Sequence, residues 1–261
     1  MANHISVEHV IMDGSSTDGT QNKLAAYGDK IAWCSEDDNG QSDALNKALD
    51  RAAGEVVGWL NADDFYLPGA LDRVAQEFSA DPSLDVLYGD TVLVDGKGKV
   101  MRLYKCYDVP DSVLRWRGCT LMSTSTFFRK SVLGSAPFDS QLRMRMDWDL
   151  FLRLRQDSAI SFKYVSEPFA AFRFHEEQVT HNQVAYNTSE HLLIRSRYNI
   201  RQSYVPVTRR LGITIHRVLK AVKGSWFAER KSAKLAGLSL LDGEGLVDQT
   251  TLAKLRSLCY P

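Results

Sequence analysis

Three acid-bearing segments lie far apart in the chain, each of a composition that can present side chains to a polar ligand. Asn61-Ala62-Asp63-Asp64 follows the apolar run EVVGWL at 55–60. A turn there sets carboxylates side by side, and hard cations such as Mg²⁺ or Mn²⁺ favour one or two carboxylates completed by phosphate oxygens. The same tetrapeptide would also serve as a helix start, where acids are favoured. In DGSSTDGT at 13–20, Asp13 ends a short apolar run, Gly14 permits a tight backbone, and hydroxyls follow that can hold a polar ligand or close a turn. In SEDDNGQSDALNKAL at 35–49, Gln41 and Asp43 fall at a helix start, a place that binds phosphates or polar rings and also needs caps of its own. Later in the chain stand Asp147 and His175. Their plain alternatives are a helix-terminal acid beside Asp149 and a surface or hydrogen-bonded core histidine.

The elements that must position these residues follow from periodicity. VEHVIM at 7–12 reads as a buried strand, about 21–27 as a helix, and IAWCS at 31–35 as a second strand. Ser42 can cap the next helix, whose apolar face is Ala44, Leu45, Ala48, Leu49 and Ala52, with Gly54 as the stop. EVVGWL is a continuous apolar run of the kind buried in a parallel sheet, and Pro68 opens another helix running to about Phe78. This alternation predicts an α/β fold in which ligands gather at the carboxyl ends of the strands, so both acidic loops are expected on one edge of one sheet. VLYGD and the segment TVLVDGKGKVMRLY predict a hairpin about Asp95-Gly96 and hence a mixed sheet. STSTFF reads as a strand, and DWDLFLRLR at 147–155 as a helix with Leu150, Phe151 and Leu154 on one face. Trp148, Phe151 and Leu154 read as core residues rather than platforms for a ligand ring. From about Ala185 the pattern is helical.

The 261 residues are 44% hydrophobic and 25% charged, an ordinary globular profile. Thirty-two basic residues balance 32 acidic ones, which excludes a nucleic-acid signature for the whole molecule. The balance is uneven: residues 1–100 hold 18 acids and 7 bases, leaving 14 acids and 25 bases for 101–261. An acidic and a basic half suit a site where a cation and an anionic ligand meet, although solvated surface charge gives the same count. Cys34, Cys106, Cys119 and Cys259 show neither CxxC pairing nor metal spacing, which fits a reduced cytoplasmic protein. No signal-like or membrane-spanning run is visible.

In order and spacing, VIMDGSSTDGT, SEDDNGQSDALNKAL and GEVVGWLNADD resemble the nucleotide-sugar-binding half of family 2 glycosyltransferases. The resemblance continues through LYGDTVLVDGKGKV, STSTFFRKSVL, PFDSQLRMRMDWDLFLRL and FRFHEEQVT, covering about residues 7–181. It implies a GT-A-like (Rossmann-like) fold with a mixed, mostly parallel sheet over residues 1–184 and a helical extension over 185–261. It implies an inverting transferase moving a sugar from a nucleoside-diphosphate donor, a UDP-sugar foremost, to a hydroxyl of a glycan or lipid-linked acceptor with Mg²⁺ or Mn²⁺. By the same resemblance Asp13 contacts the base and Gln41 and Asp43 line its pocket. Asn61-Ala62-Asp63 resembles the DxD motif with Asn in place of its first Asp, which removes one charge and leaves Asn61 to a ribose contact, while Asp63 matches the metal-binding acid. Asp147 matches the catalytic base, and His175 a histidine of the metal or diphosphate shell. A non-catalytic nucleotide-binding or scaffold relative is the alternative; a nucleotidyltransferase is disfavoured by the lack of a Gly-rich, basic phosphate loop near the start.

Members of the family usually begin with a further strand and helix, about 30 to 40 residues, before the VIMDGSSTDGT-like strand. The expectation is therefore either a weakened nucleotide pocket or strand pairing rearranged to close the gap, unless the coding sequence begins further upstream. In 205–235, Leu211, Ile215, Val218, Leu219, Val222 and Trp226 form an apolar stripe among eight basic residues and the single acid Glu229. Such a helix can lie on an anionic membrane surface, or pack on the domain with its charges in water.

Overall fold

The computed structural model describes residues 5–175, 184–200, 214, 216–222, 225–241 and 247–258. The elements run β1 (Val10–Asp13), α1 (Thr20–Ala25), β2 (Ala32–Ser35), α2 (Gln41–Arg51), β3 (Val56–Gly58), β4 (Phe65–Tyr66), α3 (Ala70–Ala80), β5 (Val86–Asp95) and β6 (Val100–Tyr104). There follow α4 (Asp111–Arg117), β7 (Thr126–Arg129), α5 (Met146–Leu154), β8 (Phe162–Phe174) and the helices Val184–Arg197, Ser225–Ser232 and Gln249–Ser257.

The long strand β5 organises the main sheet. It pairs in parallel with β8 along most of its length and antiparallel with β7 near its start and β6 near its end. The order β3-β7-β5-β8-β4 completes the sheet, with β6 on β5. Alternation along β5 fills both faces. Val86 and Tyr88 join Trp148, Leu150 and Phe151 of α5 on one side, and Leu87 meets Val74 and Phe78 of α3 on the other. Trp148 is wholly buried and its indole N–H donates to the Leu114 carbonyl at 2.9 Å, so it is core. The hairpin turns where the sequence places it: the Asp95 carboxylate accepts the N–H groups of Lys97 and Lys99, each at 2.9 Å.

Three expectations are corrected. First, β1 and β2 form their own two-stranded parallel sheet, and β3 belongs to the six-stranded one, so Asp13 and Asp63 do not sit on one sheet edge. Among the described residues no strand joins β1 to β3; β3 pairs antiparallel with β7 instead, so rearranged pairing does not close that gap. Second, the sheets are mixed, but two ladders are parallel and four antiparallel, because β6, β7 and β4 all meet their neighbours head to tail. Third, Ser42 is not a cap. Gly40, at φ 107°, turns the chain into α2, and Ser42 lies buried inside the first turn.

The C-terminal segments pack on this body. Ile194, Tyr198 and Ile200 enter the α5 side of the core. The outer edge of β6 is covered: Ser232 Oγ accepts the Leu103 N–H at 3.0 Å, Glu229 Oε1 accepts the Lys105 N–H at 3.1 Å, and the Val100 N–H reaches the Leu238 carbonyl at 2.8 Å. An edge strand so covered offers no ladder to another chain. Of the apolar stripe, Leu219 packs against the core while Val218 and Val222 are exposed; Leu211, Ile215 and the Trp226 side chain lie outside the described residues. Cys34, Cys106 and Cys119 are free thiols, and Cys259 lies outside the described residues. Among the described residues no helix is long and apolar enough to cross a membrane.

Candidate active site

The acidic turn between β3 and β4 is fixed by the end of β8. β4 pairs antiparallel with β8, Phe65 opposite Ala171 and Tyr66 opposite Ala170. Continued two residues, that register brings Asp63 level with Arg173, and β8 ends at Phe174, directly before His175. His175 Nε2 and Asp63 Oδ2 accordingly lie 2.8 Å apart. Asp64 turns inward instead of capping α3, whose N-cap is Gly69. Its Oδ1 accepts the Arg173 N–H at 3.0 Å and its Oδ2 accepts Asn61 Nδ2 at 3.1 Å. Burial, with the neighbouring Asp63 charge, still pushes the Asp64 carboxyl up to about 7 against those two bonds.

That shift has a consequence for stability. A carboxyl raised in the folded state from 3.8 to about 7 binds more protons folded than unfolded between those values. Stability therefore falls as pH rises through that window and levels off above it. In metal-free buffer, thermal unfolding of the wild type is expected to show this decline and Asp64→Asn to lose it; parallel profiles would refute the assignment.

The first turn of α2 gathers the other loops. Gln41 Nε2 donates to Asn61 Oδ1, so a line of hydrogen bonds runs from α2 through Asn61 and Asp64 to β8. Ser42 Oγ donates to the Leu142 carbonyl at 2.5 Å and approaches Met146 Sδ at 3.1 Å, bringing the start of α5 to the same helix end. Asp43 accepts the Asn39 N–H at 3.0 Å, which with Lys47 at 3.3 Å holds its carboxyl below the usual range. Its work in this structure is to close the 37–40 turn.

Asp147 stands in the first turn of α5. Its Oδ1 accepts the Trp148 N–H at 2.7 Å, and the Cys119 thiol lies 3.6 Å from Oδ2. Burial raises its carboxyl above the ordinary value, the direction that turns a carboxylate into a better proton acceptor. The segment leading to it is held by Glu190 of the helix Val184–Arg197. That buried carboxylate accepts the N–H groups of Arg143, Met144 and Arg145 at 2.7, 3.0 and 3.0 Å.

Asp13 is buried at the end of β1, where Oδ2 accepts the Ser16 N–H at 3.1 Å and the Ser35 hydroxyl at 2.6 Å; these bonds hold its carboxyl low. Its contacts stay within the β1–β2 unit. One link to α2 is the 37–40 turn, where Gly14 packs so closely on Asp38 that a Cβ would fall 2.5 Å from its carboxylate, while Asp38 accepts the Gly40 N–H at 2.8 Å; Lys47 and Arg51 of α2 also pair with Glu36. The structure thus joins Gln41, Asn61, Asp63 and His175 through one hydrogen-bonded turn and sets the start of α5 beside it. Asp13 bonds to Ser16 and Ser35 instead, in a β1–β2 pair that packs against α2. Glu190, Arg173 and the inward role of Asp64 have no signature in the sequence spacing, because each depends on a partner more than 40 residues away.

Among the described residues no three His, Cys, Asp or Glu side chains converge as a closed metal cage. Asp63 and His175 supply a carboxylate oxygen and an imidazole nitrogen at one point, a set that fits a divalent cation whose remaining positions are taken by phosphate oxygens and water.

Known proteins resemble this chain in sequence and in fold. The chain is 29% identical over 186 residues to an uncharacterized glycosyltransferase of Rickettsia felis, covering 65% of this chain and 29% of that protein. It is 26% identical over 171 residues to a PGL/p-HBAD biosynthesis glycosyltransferase of Mycobacterium bovis, covering 63% of this chain and 64% of that one. The chain thus spans less than two thirds of the length of either relative. Among solved structures, S. aureus TarS 1–349 in complex with UDP superposes with a TM-score of 0.50 at 17% identity, over 77% of this chain and 59% of that one. The fold is that of the GT-A glycosyltransferases. A family model described as glycosyl transferase family 2 matches residues 3–150, and the chain belongs to that family.

Proposed function

We propose that this chain transfers a sugar from a nucleoside-diphosphate donor to a hydroxyl of a glycan or lipid-linked acceptor, with inversion at the anomeric carbon. The observation that carries the reading is the meeting of Asp63 and His175 at 2.8 Å, on a turn whose Asn61 is tied to Gln41 at the start of α2. Asp63 and His175 would hold a Mg²⁺ or Mn²⁺ ion, which as a Lewis acid offsets the charge gathering on the leaving diphosphate. Gln41 and Asn61 orient the donor, with Asp13 and Asp43 on its nucleoside side. Asp147 accepts the proton of the acceptor hydroxyl as its oxygen bonds to the anomeric carbon and the bond to the diphosphate breaks. Its negative charge also favours the oxocarbenium character of the transition state. A UDP-sugar is the donor of choice, a reading supported by the TarS complexes with UDP and UDP-GlcNAc.

Release of UDP from UDP-sugars in the presence of Mn²⁺ is expected, falling to background with excess EDTA and returning when Mn²⁺ is restored. Release indifferent to EDTA, or pyrophosphate as the product, would overturn the reading. A non-catalytic nucleotide-binding protein is favoured by one feature, the separation of the β1–β2 pair from the main sheet. In that case UDP binds with Mn²⁺ and no sugar is released from any donor.

A further inference from the structure

We propose that Arg173 is a positioning residue for the donor site: it clamps the main chain of Asp63 so that the Asp63 carboxylate and the His175 ring stay aimed at one point. The inference rests on the reading of Asp63 and His175 given above and extends it to a residue whose side chain bonds to the main chain of the acidic turn.

Arg173 makes directed contacts to two turns. Its main-chain N–H donates to Asp64 Oδ1 at 3.0 Å, its Nε to the Asp63 carbonyl at 2.9 Å, and its Nη1 to the Gly96 carbonyl at 2.9 Å. The guanidinium also lies over the Phe65 ring, 5.8 Å from its centre. One side chain therefore ties the acidic turn to the β5–β6 hairpin turn. In a strand, residues two apart share a face. Arg173 and His175, at the end of β8, both reach Asp63: the arginine takes its carbonyl and the histidine its carboxylate.

The division of labour follows from chemistry. The Asp63 carboxylate and the His175 ring are the groups a cation would engage, so their mutual hydrogen bond cannot also be what fixes the turn. The Arg173 side-chain bonds go to carbonyl oxygens that the cation does not need. A planar guanidinium can donate from separate nitrogens to two carbonyls at once, which a single ammonium on a flexible stem does not reproduce. Its positive charge beside Asp63 and Asp64 also eases the repulsion between adjacent carboxylates.

The test compares wild type, Arg173→Ala and Arg173→Lys by titration calorimetry with UDP in the presence of Mn²⁺, alongside thermal unfolding. Both variants are expected to bind UDP–Mn²⁺ about 10–100-fold more weakly, the usual effect of removing a group that orients a metal-binding residue. The Mn²⁺ concentration at half-saturation should rise by a similar factor. A merely structural arginine would lower Tm and leave the affinity of the folded fraction unchanged, and that result overturns the proposal. Should the alanine variant not unfold cooperatively, the lysine variant decides: wild-type affinity overturns the assignment, and a loss of tenfold or more with an intact transition supports it. If the wild type binds no UDP with Mn²⁺, the donor-site reading falls and this one with it. If the wild type binds and both variants match it within twofold, only the role of Arg173 falls.

Discussion

Asp147→Asn is expected to lower kcat for sugar transfer by about 10²–10⁴-fold, the range that a positioned general base contributes. The amide keeps the shape of the side chain and can still accept the Trp148 N–H, so the start of α5 should be undisturbed. On the proposed function, what it loses is the capacity to take a proton from the acceptor hydroxyl. UDP binding measured by calorimetry should stay within about twofold, because Gln41, Asn61, Asp63 and His175 are untouched. The pH profile provides an independent reading. Burial raises the Asp147 carboxyl, and only its ionised form serves as a base. The rate should therefore fall on the acid side, with an inflection above the ordinary carboxylate value of 3.8, and that limb should vanish from the residual activity of the variant. A loss of less than tenfold in kcat would remove Asp147 from the chemistry.

The second large effect concerns stability and lies inside the main sheet. Asp90 is fully buried on β5, where Oδ2 accepts Lys105 Nζ at 2.9 Å and Oδ1 accepts the Cys106 N–H and the Tyr164 hydroxyl, each at 2.8 Å. Lys105, itself 5% exposed, also donates to the Ser166 hydroxyl at 2.6 Å. Asp90→Ala leaves that ammonium buried without its carboxylate, and a cost of about 3–5 kcal/mol is expected in urea unfolding. The double change Asp90→Leu with Lys105→Met should recover much of the loss, since two apolar side chains remove both desolvated charges together. A single-variant cost below about 1 kcal/mol would mean that water reaches the pair and screens it.

The two residues were legible to different degrees. Asp147 stands out in the sequence because it heads an amphipathic helix within a motif that resembles a known family. Asp90 and Lys105 do not: one lies in an apolar strand and the other follows the hairpin. Nothing in their spacing tells that β5, β6 and β8 bury them against each other. Asp64 shows the same limit, since an acid next to Asp63 reads as a second ligand or a cap, and only the β4–β8 register turns it inward.

By itself the sequence determined much of the local grammar of this protein: most strands and helices, where the β5–β6 hairpin turns, and which loops carry acids at strand ends, but not β4 or the long strand β8. These follow from period, caps and turn residues acting over a few positions. Tertiary structure decided which loops meet. It paired β3 with β7 rather than β1, leaving Asp13 on a separate two-stranded unit, and it brought His175 to Asp63 through strand register. The physical reason is that pairing depends on which edges and apolar faces are available across the whole chain. That competition is settled by contacts between residues from 69 (Gly58 and Phe127) to 112 (Asp63 and His175) positions apart.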